Sequence, residues 1–464
     1  MKLTFQPQDK PKFGQLIVFA IQQLLAIMAA TLVVPVITSG TYDCGEVSMS
    51  PAAALFGAGV GTLVYVLFTK KKSPVFLGSS FAFLGSMAAA FAGAATVATG
   101  FLGLIIGAIL AGLVYVAIAV AVRFAGVEWL NKLMPAVVIG PTIAIIGLSL
   151  AGNAVGDLQN SGTGTGATLL CVLCGIVTLF TVILCSSFGK KMVKLIPFII
   201  GILAGYVLAA IFTVIGIASG SEALQITNFS VFSALAEGGV GLHTFLALPE
   251  FTFIKAFGGF DGLSGQYIGT IAAAYIPVAF VVFAEHVADH KNISSIIEKD
   301  LLEDPGLSRT LLGDGVGSMA GAFFGGCPNT TYGESIACVA ITGNASVATI
   351  ITAAVGAILI SFLSPFVAFV NSIPSCVMGG VCIALYGFIS VSGLKMVQKV
   401  DLEENHNLFV VSTILVSGIG GLSLNFGAVT ITAIATALIL GILVNVMLNA
   451  GEKKQAEKEK REKK

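Results

Sequence analysis

The chain has 464 residues, 56% of them hydrophobic and 10% charged, with Lys+Arg and Asp+Glu balanced at 24 each. A soluble domain carries about 25% charged residues, so this composition excludes an ordinary soluble fold and indicates an all-α polytopic membrane protein. Zero formal net charge and the lack of a basic patch give no sign of a nucleic-acid partner. The 55 Gly fit close helix packing in lipid, where small residues let backbones approach.

Taken in chain order, the first 14 residues are polar and the first apolar run is 16–37. That run is too long for a signal-peptide core and no small-residue cleavage site follows, so it reads as a retained helix. A bilayer span needs about 20 mostly apolar residues. Fourteen candidates follow: 15–37, 52–69, 75–95, 99–122, 134–152, 167–187, 195–218, 265–288, 311–326, 331–343, 346–367, 375–394, 407–424 and 427–449. The third opens with Gly78-Ser-Ser-Phe-Ala82, and the short ninth and tenth are joined by Pro328-Asn-Thr-Thr331. Segment 219–264 has apolar and aromatic patches without a full span and reads as surface-lying helices. The tail 450–464 reads as a solvated mixed-charge end. Most of the eight Cys lie inside apolar runs, and Cys171 and Cys174 form a mid-helix C-x-x-C that reads as packing rather than metal or redox chemistry. Cys44 has no evident partner, so no disulfide framework is implied.

With the N-terminus inside, every Lys and Arg except Lys255 falls on the inner loops or the tail. By the positive-inside rule both termini are then cytoplasmic, in a multi-pass protein of the cell membrane. Merging or dropping both segments around 326–346 leaves this parity intact, so charge does not test that region. Fourteen spans split into seven plus seven, and an odd-numbered repeat must be inverted relative to its copy. The third and tenth segments are then counterparts, and they hold the two irregular motifs. Paired interruptions at matching positions of two halves point to a midplane transport site.

Two carboxylates stand at membrane depth. Glu334 lies in the Gly/Pro-broken stretch Gly325–Ser335, and Glu285 ends the apolar run that precedes Ala284-Glu-His-Val-Ala-Asp-His290. A charge at this depth costs roughly 2.5–3.5 kcal/mol on insertion scales, so ionisable residues there are functional candidates. On a helix, Glu285 and Asp289 share one face and His286 and His290 another. The alternative for Asp289 and the two His is an interfacial helix end. Around Glu334, broken backbone leaves amides free to donate to a ligand carbonyl, while ionised carboxylates only accept. That pairing suits a planar imide or pyrimidine, and Phe81 offers an aromatic face, with ordinary packing as its alternative reading.

The residues also carry a resemblance. Gln22-Gln-Leu-Leu-Ala-Ile-Met-Ala-Ala-Thr31 leading to Val34-Pro35, Gly78-Ser-Ser-Phe-Ala-Phe83, Ala284-Glu-His286, Asp304-Pro-Gly-Leu307 and Pro328-Asn-Thr-Thr-Tyr-Gly-Glu334 with Thr342 occur in order over nearly the whole chain. Together they resemble the nucleobase–ascorbate transporter family, most closely its bacterial uracil-carrying branch. The resemblance implies fourteen transmembrane segments in two inverted seven-segment repeats, with short strands in segments 3 and 10. It implies a core domain (12–123 and 265–367) and a gate domain (134–218 and 375–449), usually in a homodimer embedded in membrane lipid. It implies proton-coupled uracil uptake without a cofactor or metal, and no enzymatic activity. By position, Glu285 and Glu334 would hydrogen-bond the base, Phe81 and Tyr332 would line or stack on it, and the backbones of Ala30 and Gly333 would lie close. Glu285, Asp289, His286 and His290 would serve proton coupling. This chain departs from the family pattern at Ser335 and Ala337, where Asn and Gly are usual. It departs again at Asp289, where uracil carriers often have His, and at Asp314, an acidic position more typical of purine carriers. Two alternatives remain: a xanthine, urate or other purine carrier of the same family, and an anion transporter or channel on a related fold.

Overall fold

At membrane depth a helix is the simplest way for one segment to pair all its own backbone groups, and the long apolar runs fold accordingly. The computed structural model describes residues 3–126, 129, 134–190, 192–237, 239–426 and 429–462. The main helices are α1 (Phe13–Thr38), α2 (Pro51–Phe68), α3 (Leu84–Ala92), α4 (Val97–Ala125), α5 (Ala136–Ser149), α6 (Ala151–Leu158), α7 (Thr168–Phe188) and α8 (Pro197–Ser219). They continue with α9 (Gly265–Ile297), α10 (Leu307–Gly325), α11 (Gly333–Thr342), α12 (Val347–Ile360), α13 (Ser364–Ser372), α14 (Ser375–Val397), α15 (Asn405–Ile419) and α16 (Ala433–Glu462). Among the described residues, nine helices are long and apolar enough to cross a membrane, counting α5 with α6 as one. Four apolar helical segments are shorter: Phe81–Ala92, α11, α12 and α15.

Local chemistry sets the helix ends. Ser50 caps α2 by accepting from the Ala53 amide at 3.2 Å, with Pro51 at the first helical position. Thr96 caps α4 and Ser264 caps α9 in the same way. The expected span 346–367 is cut in two, because Pro365 starts α13 and cannot continue α12. The eighth expected span runs on to Ile297, so His286, Asp289 and His290 lie inside a helix rather than at its end. The fifth extends past residue 152 through α6. The described residues of segment 219–264 form short helical turns, among them Ser230–Ala234, Leu242–Phe245 and Thr252–Lys255. In the tail the α16 backbone stays helical to Glu462.

Among the described residues, three antiparallel two-stranded ribbons accompany the helices. Strands β1 (Gly40–Tyr42) and β2 (Gly45–Val47) make a hairpin after α1, and β5 (Leu424–Phe426) and β6 (Val429–Ile431) make another between α15 and α16. Neither hairpin is evident from apolar run length, since three-residue strands give no periodicity to read. The third ribbon joins β3 (Leu77–Ser79) to β4 (Asn329–Thr331) across some 250 residues of chain.

Two sets of helices pack among themselves. Helix α2 lies against α10 and α12, and α4 against α9 and α10; α14 lies against α5, α6 and α7, and α15 against α5 and α16. Large apolar side chains such as Leu169, Phe180, Val207 and Val214 on α7 and α8 remain exposed, as a lipid-facing surface requires. The loop after α2 meets the segment before α10 through the Lys72–Asp304 ion pair at 2.5 Å.

Candidate functional site

The β3–β4 ribbon organises the site. Leu77 pairs with Thr331, Gly78 with Thr330 and Ser79 with Asn329, and the pairing extends through Ser80 N–H to Pro328 O and Tyr332 N–H to Phe76 O. Each strand then turns directly into a helix. A 3-10 turn at Phe81–Phe83 leads into α3, and Gly333 opens α11; neither start has a capping side chain. Two helix N-termini therefore begin at one ribbon, and their first-turn amides lack intrahelical partners.

Polar side chains on neighbouring helices hold the ribbon. Thr62 of α2 accepts from the Leu77 amide at 2.9 Å, and Asn329 donates to Gly57 O at 3.2 Å. A Cβ on Gly321 would sit 2.2 Å from the Asn329 amide nitrogen, so α10 can approach only with glycine there. Ser335 accepts from the Phe76 amide at 3.0 Å and from Gln23 Nε2, which ties α11 to α1 and to the residue before β3. Tyr332 lies across Gly78 and donates from its hydroxyl to Ser79 O at 2.7 Å.

A small, partly open cleft of ≈ 80 Å³ lies in front of the ribbon. Phe81, Glu285, Tyr332, Gly333 and Glu334 all line it, as do Ala82, Thr330 and Thr331. The opposite wall is apolar: Ile143 and Ile146 from α5, and Leu385, Phe388 and Ile389 from α14. Phe81 meets Tyr386 of α14 edge-on, with ring centroids 6.0 Å apart. Glu334 sits in the first turn of α11, where the helix dipole favours negative charge. Glu285, Asp289 and Glu334 are close enough to interact electrostatically.

Helix α9 divides Glu285, His286, Asp289 and His290 between two faces. Glu285 lines the cleft, and Asp289 Oδ2 accepts from the Thr331 hydroxyl at 2.7 Å. His286 and His290 point away, into the packing against α2 and α10, with rings stacked 4.0 Å apart. His286 Nδ1 lies 2.7 Å from Asp314 Oδ2 and its Nε2 lies 3.0 Å from Thr310 Oγ1. His290 Nε2 lies 2.6 Å from the Tyr65 hydroxyl, which reaches Ser73 at 2.7 Å. Both His and Asp314 are buried and absent from the cleft wall. Ala30 is likewise buried in α1 and does not line the cleft.

Sequence reasoning missed the apolar wall, because Ile143, Ile146, Leu385 and Ile389 look like any other residues of apolar helices. It also missed the links from Gln23 to Ser335 and from Asp289 to Thr331. A polar residue inside an apolar run was the available signal for Gln23 and Thr62. Among the described residues no group of three or more His, Cys, Asp or Glu could hold a metal ion.

This geometry defines a class: a polytopic helical membrane protein whose small polar cleft is built on two facing helix starts. Comparison with known proteins narrows it. A model of the permease family matches residues 14–427. The chain is 38% identical to the uracil permease of Bacillus caldolyticus, covering 95% of this chain and 94% of that one. It is 37% identical to the uracil permease of Bacillus subtilis (strain 168), over 98% of each, and 34% identical to that of Escherichia coli (strain K12), over 94% and 91%. The chain belongs to this permease family, the nucleobase–ascorbate transporter family whose motifs it carries, and the family consists of transporters rather than enzymes. Among solved structures, the fold resembles the transmembrane domain of a cyanobacterial bicarbonate transporter, BicA, with TM-score 0.60 at 15% identity, covering 95% of this chain and all of that one. It also resembles SLC26A9, with TM-score 0.64 at 10% identity, covering 95% and 66%.

Proposed function

We propose that this protein takes up uracil across the cytoplasmic membrane together with protons. The observation that carries this reading is the meeting, in one cleft, of two carboxylates and two uncapped helix starts. Uracil alternates N–H donors with C=O acceptors around a flat ring. Glu334 and Glu285 accept from its N–H groups, first-turn amides near Gly333 and Phe81 donate to its carbonyls, and Phe81 and Tyr332 flank the ring. The 33–38% identity to curated uracil permeases over nearly the full chain supports the choice of uracil. Ala30 supports the site through α1, whose Thr31 abuts Gly78.

In this reading, segments 12–123 with 265–367 form a core domain that carries the carboxylates. Segments 134–218 with 375–449 form a gate domain that supplies the apolar wall. The helix inventory, taken with α10, supports fourteen segments, and the ribbon joining the third to the tenth supports two inverted repeats. Glu285, with Asp289 beside it, takes up a proton as the base binds. The neutralised site can then cross the apolar interface as the core moves against the gate. His286 and His290 act behind this step by fixing the α9 face that bears Glu285. The carrier works as a homodimer in the lipid bilayer, with both termini and the tail 450–464 cytoplasmic.

Binding to the purified protein tests substrate class. Unlabelled uracil should displace labelled uracil, with xanthine and hypoxanthine at least ~10-fold weaker, and bicarbonate and sulfate without effect. Displacement by xanthine at equal concentration would move the assignment to a purine carrier. Displacement by the anions would move it to an anion carrier.

A further inference from the structure

A second, larger cavity of ≈ 1040 Å³ opens on the Lys/Arg-rich face of the molecule. Arg123, at the end of α4, Lys291, on α9, and Lys399, just past α14, all line it, while Glu303 is the carboxylate in its wall. None of the three cations has an ion pair or side-chain hydrogen bond among the described residues. They come from both helix sets, Arg123 and Lys291 from one and Lys399 from the other. The start of α10, Gly306–Ser308, and that of α5, Pro135–Ala136, also face it, and neither has a capping side chain. Two positive helix ends thus reinforce the three cations in one recess, an arrangement suited to phosphate.

The recess adjoins the base cleft. Ala284 and Phe283 line the recess while Glu285 lines the cleft, and Ile139 lines the recess while Ile143, one turn on, lines the cleft. From Lys291 to Glu285 is six residues of helix, roughly 9 Å along its axis. That span is comparable with the distance from base to phosphate in a nucleotide. We propose that the recess binds the phosphate of a nucleoside monophosphate whose base reaches toward the Glu285–Glu334 cleft from the Lys/Arg-rich side. This rests on the nucleobase reading of the cleft. Such a ligand bridges Lys399 on one helix set and Arg123 and Lys291 on the other, so it holds the two sets together and inhibits uptake. The class of reaction that consumes an imported base by attaching a ribose phosphate would supply it, giving inhibition by product.

The test measures binding of labelled uridine monophosphate directly, and binding of labelled uracil separately, on the purified full chain. The expected result is uridine monophosphate binding at least ~10-fold tighter than uridine and competitive with uracil. In an Arg123→Gln/Lys291→Gln/Lys399→Gln variant, that preference over uridine should vanish while uracil affinity is kept. Equal affinity for the nucleotide and uridine would overturn the inference, as would binding without competition. Repeating the measurement in phosphatidylcholine and phosphatidylglycerol nanodiscs separates a soluble phosphate from a lipid headgroup. Loss of nucleotide binding only with phosphatidylglycerol would give the recess to lipid and overturn the nucleotide assignment. Absence of uracil binding, by contrast, would count against the cleft.

Discussion

Glu334→Gln is expected to weaken uracil binding by about 10- to 100-fold while leaving the protein folded. The substitution keeps side-chain size but replaces a pure acceptor with a group that also donates, opposite a ligand N–H. Hydrogen bonds to charged groups contribute about 1.5–3 kcal/mol, and each 1.4 kcal/mol is about tenfold in affinity. Glu334 also sits in the first turn of α11, where its charge favours the helix by roughly 0.3–1 kcal/mol at most exposures. Thermal stability should therefore fall only slightly. Uracil titration of the variant and parent decides it: unchanged affinity would remove Glu334 from the site.

The second large effect is expected from one added methyl group. A Cβ on Gly78 would stand 2.4 Å from two ring atoms of Tyr332 and 2.9 Å from Thr31 Oγ1. The ring cannot swing aside freely, because its hydroxyl is bound to Ser79 O at 2.7 Å. Moving it would also drag Gly333 and the start of α11, which carries Glu334. Gly78→Ala should destabilise the protein by about 1–3 kcal/mol, the usual range for overpacking, and should weaken uracil binding beyond the stability loss. In a Tyr332→Leu background the same methyl meets no ring, so its cost should shrink; such non-additivity marks direct contact. Equal cost in both backgrounds, read by thermal unfolding, would contradict this view of the ribbon.

What the residues disclosed in advance follows from physical cost. Glu285 and Glu334 stood out because ionisable groups are expensive among apolar residues. The Gly78 and Pro328–Gly333 breaks stood out because glycine and proline interrupt helices, and those breaks became the ribbon and the two helix starts. The apolar wall left no such trace: Ile143 and Leu385 differ from their neighbours only in where α5 and α14 pack. Partnerships across the chain were equally hidden. Ser335, a departure from the family pattern, bonds to Gln23 and Phe76, and nothing in residue order joins positions some 300 apart. Asp314 pairs with His286 inside the helix packing, and spacing alone does not disclose that pair. The hairpins at 40–47 and 424–431 escaped notice because three-residue strands are too short for a pattern.

The central claim is that the cleft moves uracil and a proton together. One charge crossing about 100 mV provides about 2.3 kcal/mol, which at 1.4 kcal/mol per decade sustains roughly a 40-fold gradient of a neutral base. The most direct measurement is labelled uracil uptake into proteoliposomes of the purified protein, with the interior made alkaline and negative. The account predicts accumulation above the external concentration, abolished by a protonophore and unaffected by removing sodium. Uptake that only equilibrates, indifferent to both pH gradient and potential, would contradict it.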